Sequence, residues 1–222
     1  QKTKGGKITE KDCLVMQEIW KGPHTTGNDF LWYSFLPGGT FWNKIIPIGS
    51  FYYPLIGKRP KCFSLVEQYV HLAFEDPKKD LLHLKIRDFE KVFDTCIRKL
   101  GWLSCDHAYL RPFANAGGKL IIDHGLDDPL IPVEGTIDYY HRMREIHGGQ
   151  NFIDQFCRLY INPGDGHGNC HTNGPGMTES TGIQALMNWV EQNKAPENLP
   201  AVLVNQKTGK TIRKGIVKPW RV

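Results

Sequence analysis

The chain has 222 residues, 40% of them hydrophobic and 23% charged, with 28 lysines and arginines against 23 aspartates and glutamates and a formal net charge of +5. This is ordinary globular composition, long enough for one large domain or two small ones. No run of eighteen apolar residues occurs, which excludes a helical membrane span, and the basic tail QKTGKTIRKGIVKPWRV holds no nucleic-acid motif and reads as a solvated face.

The N-terminal QKTKGGKITEKD lacks the apolar centre of a signal peptide, so the chain reads as cytosolic or already processed. Thr9 and Asp12 have capping-box spacing, and EKDCLVMQEIW behind them predicts a helix, apolar at Leu14, Val15, Ile19 and Trp20, which Gly22-Pro23 stops. From Pro23 to Lys61 aromatics, glycines and prolines dominate. Such a loop either anchors itself to a core through its rings or lines a pocket with them. Ser64 and Glu67 form a second capping box, opening a helix through Phe74. Asp88 is expected to cap FEKVFDTCIRKL, with Phe89, Val92, Phe93, Cys96, Ile97 and Leu100 at helical spacing and Gly101 as the stop.

The texture changes after Cys105. KLIID after Gly117-Gly118 reads as a buried strand, and VEGTIDYYHRMREIHGG as a helix. FCRLYINPG reads as a second strand, and TESTGIQALMNWVEQN as a helix with Ile183, Leu186, Met187 and Val190 on its apolar face. Strand, helix, strand, helix is a parallel α/β layout, closed by a hairpin around Lys207-Thr208-Gly209.

In such a sheet, ligands bind beyond the carboxyl ends of the strands. DHGLDDPLIP and NPGDGHGNCHTNGPGMT leave two such ends. A histidine acting as general base needs a carboxylate on its far nitrogen, and Asp128 before His167 keeps the acid-before-histidine order of α/β hydrolases. The pattern His-Gly-x-x-Asp-x-x-Ile-Pro selects Asp128 and leaves Asp127 as the turn-capping neighbour. Taken singly, each residue is an ordinary loop residue; the pair gains weight from its order and its placement. A metal-dependent hydrolase is a rival reading, because Asp165, His167, Cys170 and His171 crowd one loop. The six cysteines, Cys13, Cys62, Cys96, Cys105, Cys157 and Cys170, have no CxxC spacing and fit either the disulfides of a secreted protein or buried thiols. No Gly-x-Ser-x-Gly elbow precedes Asp128: Ser50, Ser64, Ser104 and Ser180 all lack that setting. The sheet is also short of strands, so the sequence reads as the C-terminal portion of a larger hydrolase whose remainder lies on another polypeptide.

GGKLIIDHGLDDPLIPVEGTIDYYHRM resembles the acid-loop segment of the tannase/feruloyl esterase family. FCRLYINPGDGH, ALMNWVEQNKAPENL and ITEKDCLVMQEIWKGP are similar to further segments in that family's order. The resemblance implies an α/β-hydrolase domain with an inserted lid. Residues 1–105 would then be the C-terminal part of the lid and residues 106–222 the C-terminal part of the catalytic domain. It implies Asp128 as catalytic acid, His167 as catalytic histidine, and Ile131 in the acyl pocket. Phe41 and Trp42, in the aromatic loop 30–53, would stack on the ring of a small aromatic ester. The nucleophile serine, the oxyanion hole and the lid's structural calcium would lie upstream, on an N-terminal partner chain of the same precursor or an upstream segment, in a secreted enzyme. The family places a cysteine directly after the catalytic histidine, bonded to one beside the nucleophile. Here Gly168 follows His167, so either Cys170 makes that bond through a longer loop, or the bond is absent, or the histidine is His171. Pro163-Gly164-x-Gly166 favours His167. The implied activity is hydrolysis of galloyl, feruloyl or related esters. A binding or regulatory fragment without catalysis, and the metal-dependent hydrolase of residues 165–171, are the other readings.

Overall fold

The structure, a computed structural model, describes residues 2–3, 6–37, 62–168, 174–205 and 207–221. The chain divides into two compact units, residues 1–34 with 41–105, and residues 35–40 with 106–222.

In the first unit, β1 (Lys2–Thr3) pairs antiparallel with β2 (Gly6–Lys7). Helix α1 (Glu10–Lys21) begins at the expected box: the Asp12 amide donates to Thr9 Oγ1 at 3.2 Å, and the Thr9 amide donates to Asp12 Oδ2 at 2.8 Å. Each partner satisfies an orphan donor of the other's turn. Helices α2 (Ser64–Phe74) and α3 (Ile86–Leu100) join through Val70, Ala73, Val92, Cys96 and Leu100, which form a small core. Two caps differ from expectation. Phe63 is the N-cap of α2 and makes no side-chain cap bond, so Ser64 already lies inside the helix. Helix α3 starts two residues ahead of Asp88, whose carboxylate sits in the first turn and accepts from the Lys85 amide at 3.3 Å. Gly101 has a right-handed φ of −59° and leads into a 3-10 turn (Gly101–Leu103), continuing the coil instead of breaking it.

The second unit holds a short helix α4 (Arg111–Asn115), strand β3 (Leu120–Gly125), helix α5 (Val133–Ile146), a single turn α6 (Gln150–Ile153) and strand β4 (Cys157–Asn162). β3 and β4 run parallel in register, from Leu120 opposite Cys157 to Gly125 opposite Asn162. β4 is buried at every position. Its side chains alternate between two cores, as strand geometry demands. Cys157, Leu159 and Ile161 pack with Val133, Tyr140, Met143, Ile153 and Phe156, while Tyr160 packs with Met177, Ala185, Leu199, Ala201 and Val217. The chain continues as β5 (Gly176–Met177), α7 (Glu179–Gln192), β6 (Leu199–Val204) and β7 (Thr211–Val217). β5, β6 and β7 form a separate antiparallel sheet, and residues 205–210 make the hairpin, with Gly209 at φ +68°.

Helix α7 presents a different face to the core from the one its spacing predicts. Ala185 and Trp189 are buried, whereas Ile183 is 61% exposed, Met187 45% and Val190 60%. Two cations, Arg158 at 5.0 Å and Lys119 at 5.5 Å, lie over the buried Trp189 ring. No helix among the described residues is long and apolar enough to cross a membrane.

Candidate active site

Because Gly125 and Asn162 are register partners at the ends of β3 and β4, the loops that follow them leave the sheet side by side. They then touch through their backbones. A Cβ on Gly125 would lie 2.4 Å from the carbonyl oxygens of both Asp165 and Gly166, so only glycine allows this approach. The Leu126 amide donates to Asn162 O at 2.9 Å, and the Asp127 amide to Asp165 O at 2.8 Å. Asn162, fully buried, closes the joint: its Nδ2 donates to the Asp123 carboxylate, and its Oδ1 accepts from the Met177 amide at 3.1 Å.

The joint brings Asp128 onto His167, with Nδ1 of the imidazole 2.9 Å from Oδ2 of the carboxylate. Asp128 is buried, while the His167 side chain keeps 39% of its surface open. The other carboxylate oxygen, Oδ1, accepts from the amides of Leu130 at 2.8 Å and Ile131 at 3.0 Å. Asp128 thus takes turn amides of its own loop as well as the histidine. Burial acts to raise the Asp128 carboxyl. The hydrogen bonds from His124, from the Ile131 and Leu130 amides and from His167 outweigh it and hold the group down at about 2. A carboxylate so held is anionic at any working pH and offers its partner imidazole a fixed acceptor.

His124 is the residue that sequence reasoning passed over. It was read only as the first letter of a strand-end pattern, yet its Nε2 lies 3.3 Å from Asp128 Oδ2 and 3.1 Å from the Ile131 carbonyl oxygen. Its Nδ1 lies 2.7 Å from Thr136 Oγ1 on α5. Ile131 itself is exposed beside the acid, its amide on Asp128. Phe41, Trp42, Cys170 and His171 lie outside the described residues. Of the aromatic loop, Phe30, Trp32 and Tyr33 are described and meet edge to face at 5.0 and 5.3 Å.

Cys13, Cys62, Cys96, Cys105 and Cys157 carry free thiols. Burial pushes the Cys157 thiol up to about 12, which leaves it a packing residue without nucleophilic character. Among the described residues no three His, Cys, Asp or Glu side chains converge as a metal site.

A parallel strand pair wrapped by helices, with an aspartate and a histidine meeting beyond its carboxyl end, defines part of an α/β hydrolase. Residues 60–220 match the family described as tannase and feruloyl esterase, and the chain belongs to that family. It is 27% identical over 203 residues to a probable feruloyl esterase of Arthroderma benhamiae, covering 87% of this chain and 36% of the relative. It is 24% identical over 219 residues to a tannase of Aspergillus oryzae, covering 91% and 36% respectively. The chain thus spans about a third of the length of these curated relatives. Its fold matches that of the tannin acyl hydrolase from Aspergillus niger, with a TM-score of 0.75 at 23% identity over 99% of this chain and 42% of that one. It matches feruloyl esterase B from Aspergillus oryzae with a TM-score of 0.73 at 17% identity, over 96% and 42%.

Proposed function

We propose that this chain supplies the acid and the histidine of a serine carboxylic ester hydrolase that cleaves aromatic acyl esters of the galloyl or feruloyl kind. The observation that carries the reading is the 2.9 Å contact between His167 Nδ1 and a buried Asp128 carboxylate pinned by two backbone amides. On this reading a serine supplied by a partner chain or an upstream segment attacks the ester carbonyl. His167 takes its proton and returns it to the leaving alcohol, and Asp128 keeps the imidazole in the required tautomer and stabilises the imidazolium. The names of the relatives support the substrate class, since they are feruloyl esterases and a tannase.

The rest of the assignment follows from the same reading. Residues 1–105 belong to the lid and residues 106–222 to the catalytic domain. Ile131, exposed next to the acid, lines the acyl pocket, and Phe41 and Trp42 stack on the aromatic ring. Cys170 reaches a partner cysteine beside the nucleophile, as befits a secreted two-chain enzyme. The structural calcium of the lid belongs to the partner segment.

The test is turnover of methyl ferulate and methyl gallate by the complete enzyme. Asp128→Asn and His167→Ala each lower kcat by about 10²–10⁴ with the assembly intact. Wild-type rates in either variant remove that residue from the mechanism, and a wild-type enzyme inert to both esters removes the substrate class.

A further inference from the structure

Asp128 is flanked by two histidines, and only one of them faces a reacting group on the reading above. His124 is the penultimate residue of β3, its side chain 10% exposed, with both ring nitrogens engaged. Its Nε2 meets two groups, the Ile131 carbonyl oxygen at 3.1 Å and Asp128 Oδ2 at 3.3 Å. A carbonyl and a carboxylate can only accept, so Nε2 carries the proton in either charge state of the ring. Nδ1 meets the Thr136 hydroxyl at 2.7 Å, which donates to a neutral imidazole and accepts from a protonated one. Thr136 therefore holds the ring in one orientation whichever way its own hydroxyl points.

The consequence falls on Oδ2, the same oxygen that His167 contacts at 2.9 Å. Oδ1 is committed to the Leu130 and Ile131 amides. With donors on both oxygens and a second imidazole on the inner one, the carboxylate plane cannot rotate away from His167. A donor bound to Oδ2 also disfavours protonation of that oxygen, so a proton taken up by His167 stays on the imidazole instead of passing to the acid.

We propose that His124 is a positioning residue for catalysis: through Nε2–H and its Thr136 anchor it fixes the Asp128 carboxylate for His167. This rests on the esterase reading, and the experiment has one arm that does not. In the complete enzyme with methyl ferulate, His124→Leu lowers kcat by about tenfold or more while KM stays within about twofold, the pattern of a lost transition-state interaction. His124→Gln places an amide N–H where Nε2 stood and restores kcat to within about threefold of wild type. His124→Asn keeps only the Thr136 side and stays as slow as the leucine variant. Equal kcat in the glutamine and asparagine variants overturns the proposal even where the leucine variant fails to fold, as does wild-type kcat in all three. The independent arm is ¹⁵N NMR of the wild-type enzyme. His124 shows a protonated Nε2 whether or not any ester is turned over, and an Nδ1-only tautomer sinks the proposal. Inactivity of wild-type enzyme toward esters, with Nε2 protonated, sinks the esterase reading and leaves the bond to Asp128 standing.

Discussion

Each oxygen of the Asp128 carboxylate has a defined set of donors, and this has a consequence for acid stability. The folded carboxyl is held at about 2, below the ordinary value of an unfolded aspartate at about 3.9. A depressed folded value means that the stabilisation is complete above about pH 5 and is lost as pH falls through about 4 towards about 2. The magnitude is on the order of 2 kcal/mol. Urea unfolding of wild type and Asp128→Asn across this range should therefore converge by about that amount as the solution is acidified; parallel curves would show that the group does not titrate as described. Asn162 makes a second test. Replacing it with leucine leaves the Met177 amide and the Asp123 carboxylate without this partner, and the cost, read from a denaturant midpoint, is about 1–3 kcal/mol. Asp128 and His167 were legible in the sequence because a strand-end aspartate followed by a glycine-flanked histidine is a pattern with chemistry behind it. His124 was not, because its role depends on a threonine twelve positions away on another element and on a backbone carbonyl, and no spacing rule announces either.

The elements that build the site are two strand ends and the loops leaving them, and what decides their separation is a missing side chain. Gly125→Ala puts a methyl group 2.4 Å from two carbonyl oxygens, which must part to make room. The loops carry Asp128 on one side and His167 on the other, so the variant should lose stability by about 1–3 kcal/mol and turnover by more than tenfold, roughly, through displacement alone. Full activity with unchanged melting temperature would show that the loops yield elsewhere. The helices show where periodicity is a sound guide and where it misleads. Thr9 with Asp12 gave the start of α1 correctly because the reciprocal bonds are local to one turn. The same spacing at Ser64 and Glu67 falls inside α2, where residues three apart are neighbours in any case. For α7 the pattern gave the length of the helix, while in this chain the buried residues are Ala185 and Trp189, and Ile183, Met187 and Val190 stay exposed.

At the scale of the molecule, β3 pairs only with β4 among the described residues, and its burial is partial while that of β4 is complete. Apolar residues of α1, α2 and α7, including Leu14, Val15, Leu65, Val66, Ile183 and Val190, are exposed. On the esterase reading these surfaces meet the nucleophile-bearing remainder of the enzyme, whether a partner chain or an upstream segment. Ile183→Glu combined with Val190→Glu should then weaken co-purification of the two chains, whereas a surface pair that stays in water changes stability by less than about 0.5 kcal/mol. Native mass spectrometry of the purified complex reads the outcome. The α/β layout could be drawn from the strand–helix alternation, and the β6–β7 hairpin from its turn residues; the pairing of β5 with β6 could not, because β5 is only two residues long and carries no alternation. The contact at Gly125 also bears on how the loops at this strand end can change over generations. Its acid and histidine are spaced by main-chain atoms of two loops, so the exposed side chains on those loops, Ile131 among them, can be exchanged without disturbing the spacing. On the esterase reading, preference for a new ester can drift while the Asp128–His167 pair is inherited intact.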